Sequence, residues 1–179
     1  PNVDFRQTFG MSELGIFRVK SEARNSLYMK IGGEGIETRV VNKILEIRSQ
    51  ARMLGYLNAD SPFNNEGWYN TKDIVEEYDG FYKVIGRTSE VINVGGLKFM
   101  ASDVERVVLQ FEGIKFAKAE GKDNPITGQH VELTVQFVSN NDINKKKIKL
   151  FLNSRLPSHM LPKRIKVSSF KVGHRFKRV

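Results

Sequence analysis

Three stretches of this chain carry side chains suited to handling a phosphorylated ligand. In Phe9-Gly10-Met11-Ser12-Glu13, a hydroxyl stands beside a carboxylate just after a glycine turn. A carboxylate can hold a hard cation such as Mg²⁺, and a hydroxyl can hydrogen-bond a phosphate. Without a ligand, the same pair serves as an ordinary cap. Gly67-Trp68-Tyr69-Asn70-Thr71-Lys72-Asp73 places a second carboxylate at the end of a loop, where it can accept from both hydroxyls of a ribose or satisfy its own turn. In the third stretch, Gly86-Arg87-Thr88-Ser89 leads through Glu90-Val91-Ile92-Asn93-Val94 to Gly95-Gly96-Leu97-Lys98. Glycines there either let a ligand approach the backbone closely or simply make a turn.

The elements that must position these groups change character along the chain. Residues 15–20, 26–31, 37–41 and 43–48 read as strands, punctuated by Gly32-Gly33-Glu34-Gly35. Residues 58–67 read as a surface loop, and Asp79-Gly80 as a hairpin turn between two strands. After residue 86 strands alternate with helices. Val91 to Val94 is read as a strand ending at the double glycine. Ser102 and Glu105 then form a capping box for a helix whose apolar stripe is Val104, Val107, Val108 and Phe111. Residues 114–119 and 131–138 read as strands, the second with Val131, Leu133, Val135 and Phe137 on one face. Asp142 caps a second helix striped by Ile143, Ile148, Phe151 and Leu152, Pro157 ends it, and residues 164–167 form a last strand. Phe111, Phe116, Phe137 and Phe151 are expected in a core, and Trp68 as a core anchor beside its loop. His130, His159 and His174 lack the spacing of a metal triad.

Charge is divided as sharply as period. The chain has 179 residues and a net charge of +9. Residues 1–85 hold 11 Lys/Arg against 12 Asp/Glu, residues 86–179 hold 18 against 8, and no acidic residue follows Asp142. Such a half attracts polyanions unless it is only a solvated basic face. Aromatics are not interleaved with the basic residues, and no nucleic-acid-binding signature is present, so nucleic acid is a runner-up. With no cysteine, these residues offer no disulfide framework, thiolate zinc site or cysteine nucleophile. No apolar stretch approaches the ~20 residues of a membrane span, and the opening residues do not read as a signal peptide. The expectation is a soluble, cytoplasmic protein.

In this order and spacing, the three stretches resemble the AMP-forming adenylate superfamily, which includes acyl-CoA synthetases, firefly luciferase and the adenylation domains of peptide synthetases. Residues 9–13 look like its Tyr-Gly-Met-Thr-Glu motif, and residues 67–73 like Gly-Trp-Tyr-x-Thr-Gly-Asp. Residues 86–98 look like the hinge and first strand of its C-terminal lid, and residues 45–57 resemble the strand and Gly-Tyr-Leu turn between the first two motifs. The resemblance implies an α+β architecture: residues 1–86 as the β-rich end of the large AMP-binding domain, and residues 87–179 as a small α+β lid.

It also implies roles. Glu13 would bind the Mg²⁺ of MgATP, with Ser12 beside the AMP phosphate. Asp73 would hold the ribose and Arg87 would contact the same nucleotide. Ser89 would be the hinge, and Gly95, Gly96 and Lys98 would line the pantetheine channel of CoA. In such ligases a carboxylate and ATP give an acyl-adenylate and pyrophosphate, and a thiol then displaces AMP. Joining two anions calls for Mg²⁺ and cationic side chains where charge develops, and a basic lid is a natural source of the latter.

Several residues depart from the family pattern. Lys72 replaces a glycine, Ser89 replaces the usual hinge Asp or Lys, and in Gly173-His174-Arg175-Phe176-Lys177-Arg178 the residue at the adenylating lysine's place is Arg175, with Lys177 two positions on. The family's Ser/Thr/Gly-rich phosphate loop and acyl pocket lie upstream of anything in these residues, and Pro1 has no methionine before it. The expectation is the C-terminal fragment of an acid–CoA ligase of carboxylic or fatty acid metabolism, binding nucleotide weakly and inactive alone. Its partners would be the missing N-terminal part, the acid and CoA. The alternatives are an adenylation module serving an acidic carrier protein, and a non-catalytic basic module for phosphate or nucleic acid.

Overall fold

The computed structural model describes residues 7–138 and 145–168, and the chain divides into two compact units after Ser89. In the first unit, strands β1 (Phe9–Met11), β2 (Gly15–Ser21), β3 (Met29–Gly32), β4 (Ile36–Val41), β5 (Ile44–Ser49), β6 (Tyr69–Tyr78) and β7 (Phe81–Arg87) form one sheet. Their order is β1-β2-β3-β7-β6-β5-β4, with every neighbouring pair antiparallel.

Period-2 alternation fixes which side chains go inward. In β5, Leu45 and Ile47 are fully buried while Glu46 and Arg48 face outward, and they join Leu14, Phe17, Met29, Ile31, Val75 and Tyr82 in one core. The β4–β5 and β6–β7 hairpins turn through Asn42-Lys43 and Asp79-Gly80. All four residues have positive φ, as a two-residue turn matching the strand twist requires. The strand read at residues 26–31 starts only at Met29. Ser26 instead accepts the Tyr28 N–H through its hydroxyl and closes a turn.

The second unit holds β8 (Val91–Val94), β9 (Leu97–Met100), helix α1 (Ala101–Val108), β10 (Ile114–Asn124), β11 (Gly128–Phe137), helix α2 (Lys145–Asn153) and β12 (Arg164–Val167). Its sheet runs β10-β11-β8-β9, with β12 parallel to β11. Val131, Leu133 and Val135 point into a core closed by Val104 and Val108 of α1, Ile148 and Leu152 of α2, and Ile165 of β12. Burying each of these completely contributes roughly 1.5–3 kcal/mol.

Several local expectations are corrected here. The strand at residues 91–94 does not lead directly into the helix. Gly95-Gly96, with φ of 61° and 86°, is a hairpin turn that sends the chain back as β9. Ser102 and Glu105 do not form the capping box. The N-cap is Met100, two residues earlier; Met100 N–H donates to Asp103 Oδ2 at 3.2 Å, and Glu105 accepts the Ala119 N–H at 2.9 Å. Phe111 lies beyond the end of α1, although it still packs on the core against Phe151. Phe116 is not core: it alternates with the buried Ala117 and so lies on the opposite face of β10. Helix α2 ends at Asn153, four residues before Pro157. The Asp142 cap, Ile143 and residues 169–179, with His174, Arg175 and Lys177, lie outside the described residues. No described helix is long and apolar enough to cross a membrane.

Candidate functional site

The first motif forms the turn from β1 to β2. A Cβ on Gly10 would lie 2.8 Å from the Gly15 carbonyl oxygen and 3.0 Å from Ile16 Cα, so only glycine lets these backbones close. Leu14 plugs the core beneath the turn, Ser12 is exposed on it, and Glu13 is half-buried. The segment after β5 lies against this turn: Met53 N–H donates to the Glu13 carbonyl at 3.0 Å, and the Tyr56 hydroxyl donates to Glu13 Oε1. Tyr69, the first residue of β6, is near enough for its phenol and the Glu13 carboxylate to shift each other's pKa. The Tyr56 hydrogen bond outweighs partial burial and, with Tyr69 and Arg87 assisting, holds the Glu13 carboxyl below the usual carboxylate range. Burial first, then the bond to Glu13, pushes the Tyr69 phenol up to about 12.

The second motif enters β6 through a built turn. Asn64 Oδ1 accepts the N–H groups of Glu66 (3.0 Å) and Trp68 (2.9 Å). Gly67 has φ 83°, and a Cβ there would lie 2.0 Å from Arg52 Nη1, which donates to the Gly67 carbonyl at 3.0 Å. Trp68 is buried, as expected of a core anchor beside its loop, and cationic side chains flank its ring. The guanidiniums of Arg39 and Arg48 lie 4.2 and 4.9 Å from its ring centroid, and are themselves paired with Glu46 and Glu37.

Within β6, Thr71 Oγ1 donates to the Leu45 carbonyl (2.8 Å) and accepts the Asp73 N–H (3.1 Å). Lys72 has φ 64°, with its N–H on Asn70 Oδ1 at 3.0 Å. The resembling motif has a glycine at this place, which tolerates left-handed backbone freely; this chain adopts the same region with a lysine. Asp73 is 6% exposed and lies directly opposite Arg87 across the β6–β7 ladder, where Arg87 Nε donates to Asp73 Oδ1 at 2.9 Å.

Arg87 thus lies within electrostatic reach of both carboxylates, bonded to Asp73 and felt by Glu13. Its own side chain is 57% exposed, so solvent and a ligand can reach this edge. Ser89 closes the first unit within a short 3-10 turn, Thr88–Glu90. In the second unit, Gly95 and Gly96 form the tip of the β8–β9 hairpin beside the exposed Lys98. Nothing described lies within 4 Å of a Cβ added at either glycine. Tyr56 and Tyr69, the phenols beside Glu13, were missed as site residues. Both stand inside stretches that carry the resemblance, Tyr56 in Gly55-Tyr56-Leu57 and Tyr69 in the second motif, and that was the signal that could have found them.

No protein-family model matches the chain. Over 123 residues, 66% of this chain, it is 33% identical to the 2-succinylbenzoate–CoA ligase of Staphylococcus aureus (strain bovine RF122 / ET3-1). It is 29% identical over 148 residues, 82% of the chain, to the acyl–CoA ligase YhfT of Bacillus subtilis (strain 168). The chain belongs to the AMP-forming adenylate superfamily. It spans about a quarter of those two ligases' lengths, 24% and 28%.

The fold is that of the superfamily's C-terminal part. ATP-bound MatB from Rhodopseudomonas palustris superimposes with a TM-score of 0.78 at 16% identity, over 93% of this chain and 37% of that one. R195K Escherichia coli MenE with bound OSB-AMS gives 0.60 at 21% identity, over 75% and 30%. At these identities the structural likeness speaks for fold alone.

Proposed function

We propose that this chain is the C-terminal part of an AMP-forming carboxylate–CoA ligase and that the first unit holds the nucleotide. The supporting observation is the buried Asp73 carboxylate, fixed by Thr71 and paired across the β6–β7 ladder with the half-exposed Arg87, whose charge also helps to hold the Glu13 carboxyl down. Asp73, buried and fixed by Thr71 and Arg87, is the acceptor for the ribose hydroxyls, and Arg87 is their donor. Ser12 faces the α-phosphate.

Glu13 is the residue that would hold Mg²⁺ carried in with ATP. An ionised, half-exposed carboxylate suits a hard cation that keeps most of its ligands from phosphate and water. Mg²⁺ so placed would neutralise phosphate charge as the substrate carboxylate approaches.

In the reaction, a carboxylate oxygen bonds to the α-phosphorus as the bond to pyrophosphate breaks. The CoA thiolate then bonds to the acyl carbon as AMP leaves. Ser89 is the pivot between the two halves of this cycle, and Gly95, Gly96 and Lys98 face the pantetheine arm. The upstream part of the polypeptide supplies the phosphate loop and the acid pocket, so the 179-residue chain alone binds nucleotide weakly and turns nothing over.

AMP titration followed by amide NMR tests this reading. Shifts are expected at residues 12–13, 69–73 and 87, with Asp73→Asn weakening binding about tenfold or more. An AMP affinity unchanged in Asp73→Asn would refute the site. Pyrophosphate exchange by this chain above a buffer control would refute its inactivity.

A further inference from the structure

Tyr56 is 47% exposed, and beside it Leu54 and Leu57 lie fully open to solvent. Core packing therefore does not explain an aromatic ring at this place. The hydroxyl does: it donates to Glu13 Oε1, while Met53 N–H of the same segment donates to the Glu13 carbonyl. Two bonds thus tie residues 53–56 to one residue, one to its backbone and one to its carboxylate. A free glutamate side chain surrenders considerable rotamer freedom when it binds a ligand, and a donor already in place removes that cost beforehand.

The kind of donor matters as well. Asp73 is paired with a guanidinium, which cancels its charge. Glu13 is held by a neutral phenol, which aims a carboxylate without cancelling it. With Oε1 engaged by Tyr56, Oε2 and the full negative charge remain for a cation.

We propose that Tyr56 is a positioning residue for Glu13, fixing its carboxylate so that the second oxygen meets the cation of a bound MgATP. This rests on the reading of Glu13 given above, and two independent measurements separate the failure of one from the failure of the other.

The first is ¹³C relaxation of the Glu13 side chain in the 179-residue protein without ligand. Tyr56→Phe, which keeps the ring and removes the hydroxyl, should lower the Glu13 order parameter into the mobile range, below about 0.6. Glu46, held by Arg39, should keep its value. The second is ATP affinity with Mg²⁺ and with EDTA. Tyr56→Phe should cut the Mg²⁺-dependent gain about tenfold and leave the EDTA value unchanged, whereas Glu13→Gln should abolish the gain.

An unmoved order parameter overturns the positioning role. A fallen order parameter with an undiminished Mg²⁺ gain overturns its service to the cation. Wild-type protein with no Mg²⁺ gain at all overturns the reading of Glu13 and leaves the phenol–carboxylate tether standing. Should Tyr56→Phe fail to fold, Tyr56→Leu, which also removes the hydroxyl at this half-exposed position, carries the same two measurements.

Discussion

The two units solve opposite problems with similar materials. The first neutralises its charges locally: Arg39 with Glu46, Arg48 with Glu37, Lys83 with Glu76, Arg87 with Asp73. Its turns and loop therefore present polar groups already aimed by partners. The second buries a core mainly of Val, Leu, Ile and Ala, with Phe99, packed against two helices, and carries a surplus of positive charge. On α2, Lys145, Lys146, Lys147 and Lys149 all lie on exposed positions, with no acidic side chain from there to residue 168. A surface that aims individual groups needs paired charges, while one that sets a field needs an excess of one sign.

The largest test of this contrast is a cavity in the second unit. Leu133→Ala should cost about 3 kcal/mol, read as lost amide-exchange protection across residues 90–168. Protection of Leu45, Ile47 and Val75 should survive; if it collapses equally, the two cores are not separate.

The next effect is alkaline. The Tyr69 phenol is held at about 12 in the folded chain against ~10 when unfolded, so its contribution is complete below about pH 10 and drains away between about pH 10 and 12. A denaturant-melt series over that range should show the first unit weakening, with the slope flattened in Tyr69→Phe. Glu132 of the second unit behaves oppositely. Lys166 first, then Arg164 and His130, lower its pKa, so its contribution is lost as pH falls through the carboxylate range, and Glu132→Gln should remove that loss.

The smallest effect is a gain. Lys43 occupies a left-handed position (φ 66°) after Asn42, and Lys43→Gly should stabilise the β4–β5 hairpin by about 0.5–1 kcal/mol in the same melts.

What could be read along the chain was whatever depends on neighbours in sequence. The alternation from Val131 to Val135 reports one buried face because pleating has a period of two. Asp79-Gly80 reports a hairpin because few residue pairs accept positive φ twice. The same local logic failed where two signals competed. Gly95-Gly96 could end a strand or reverse it, and Ser102 lost the cap to Met100 and Asp103 because β9 carries the chain into the helix at a fixed point. In the candidate site, Glu13 and Asp73 stood out because each sits inside a recognisable motif.

The order of the motifs alone determined the superfamily and the α+β architecture, since spacing survives without any knowledge of packing. Only the tertiary structure decided that Arg87 faces Asp73 across a ladder, that Tyr56 holds Glu13, and that two arginines flank Trp68. The Arg87–Asp73 bond joins residues 14 positions apart and the Tyr56–Glu13 bond residues 43 apart. A hydrogen bond over such separations leaves no periodic trace in a sequence, because it depends on where the chain returns in space.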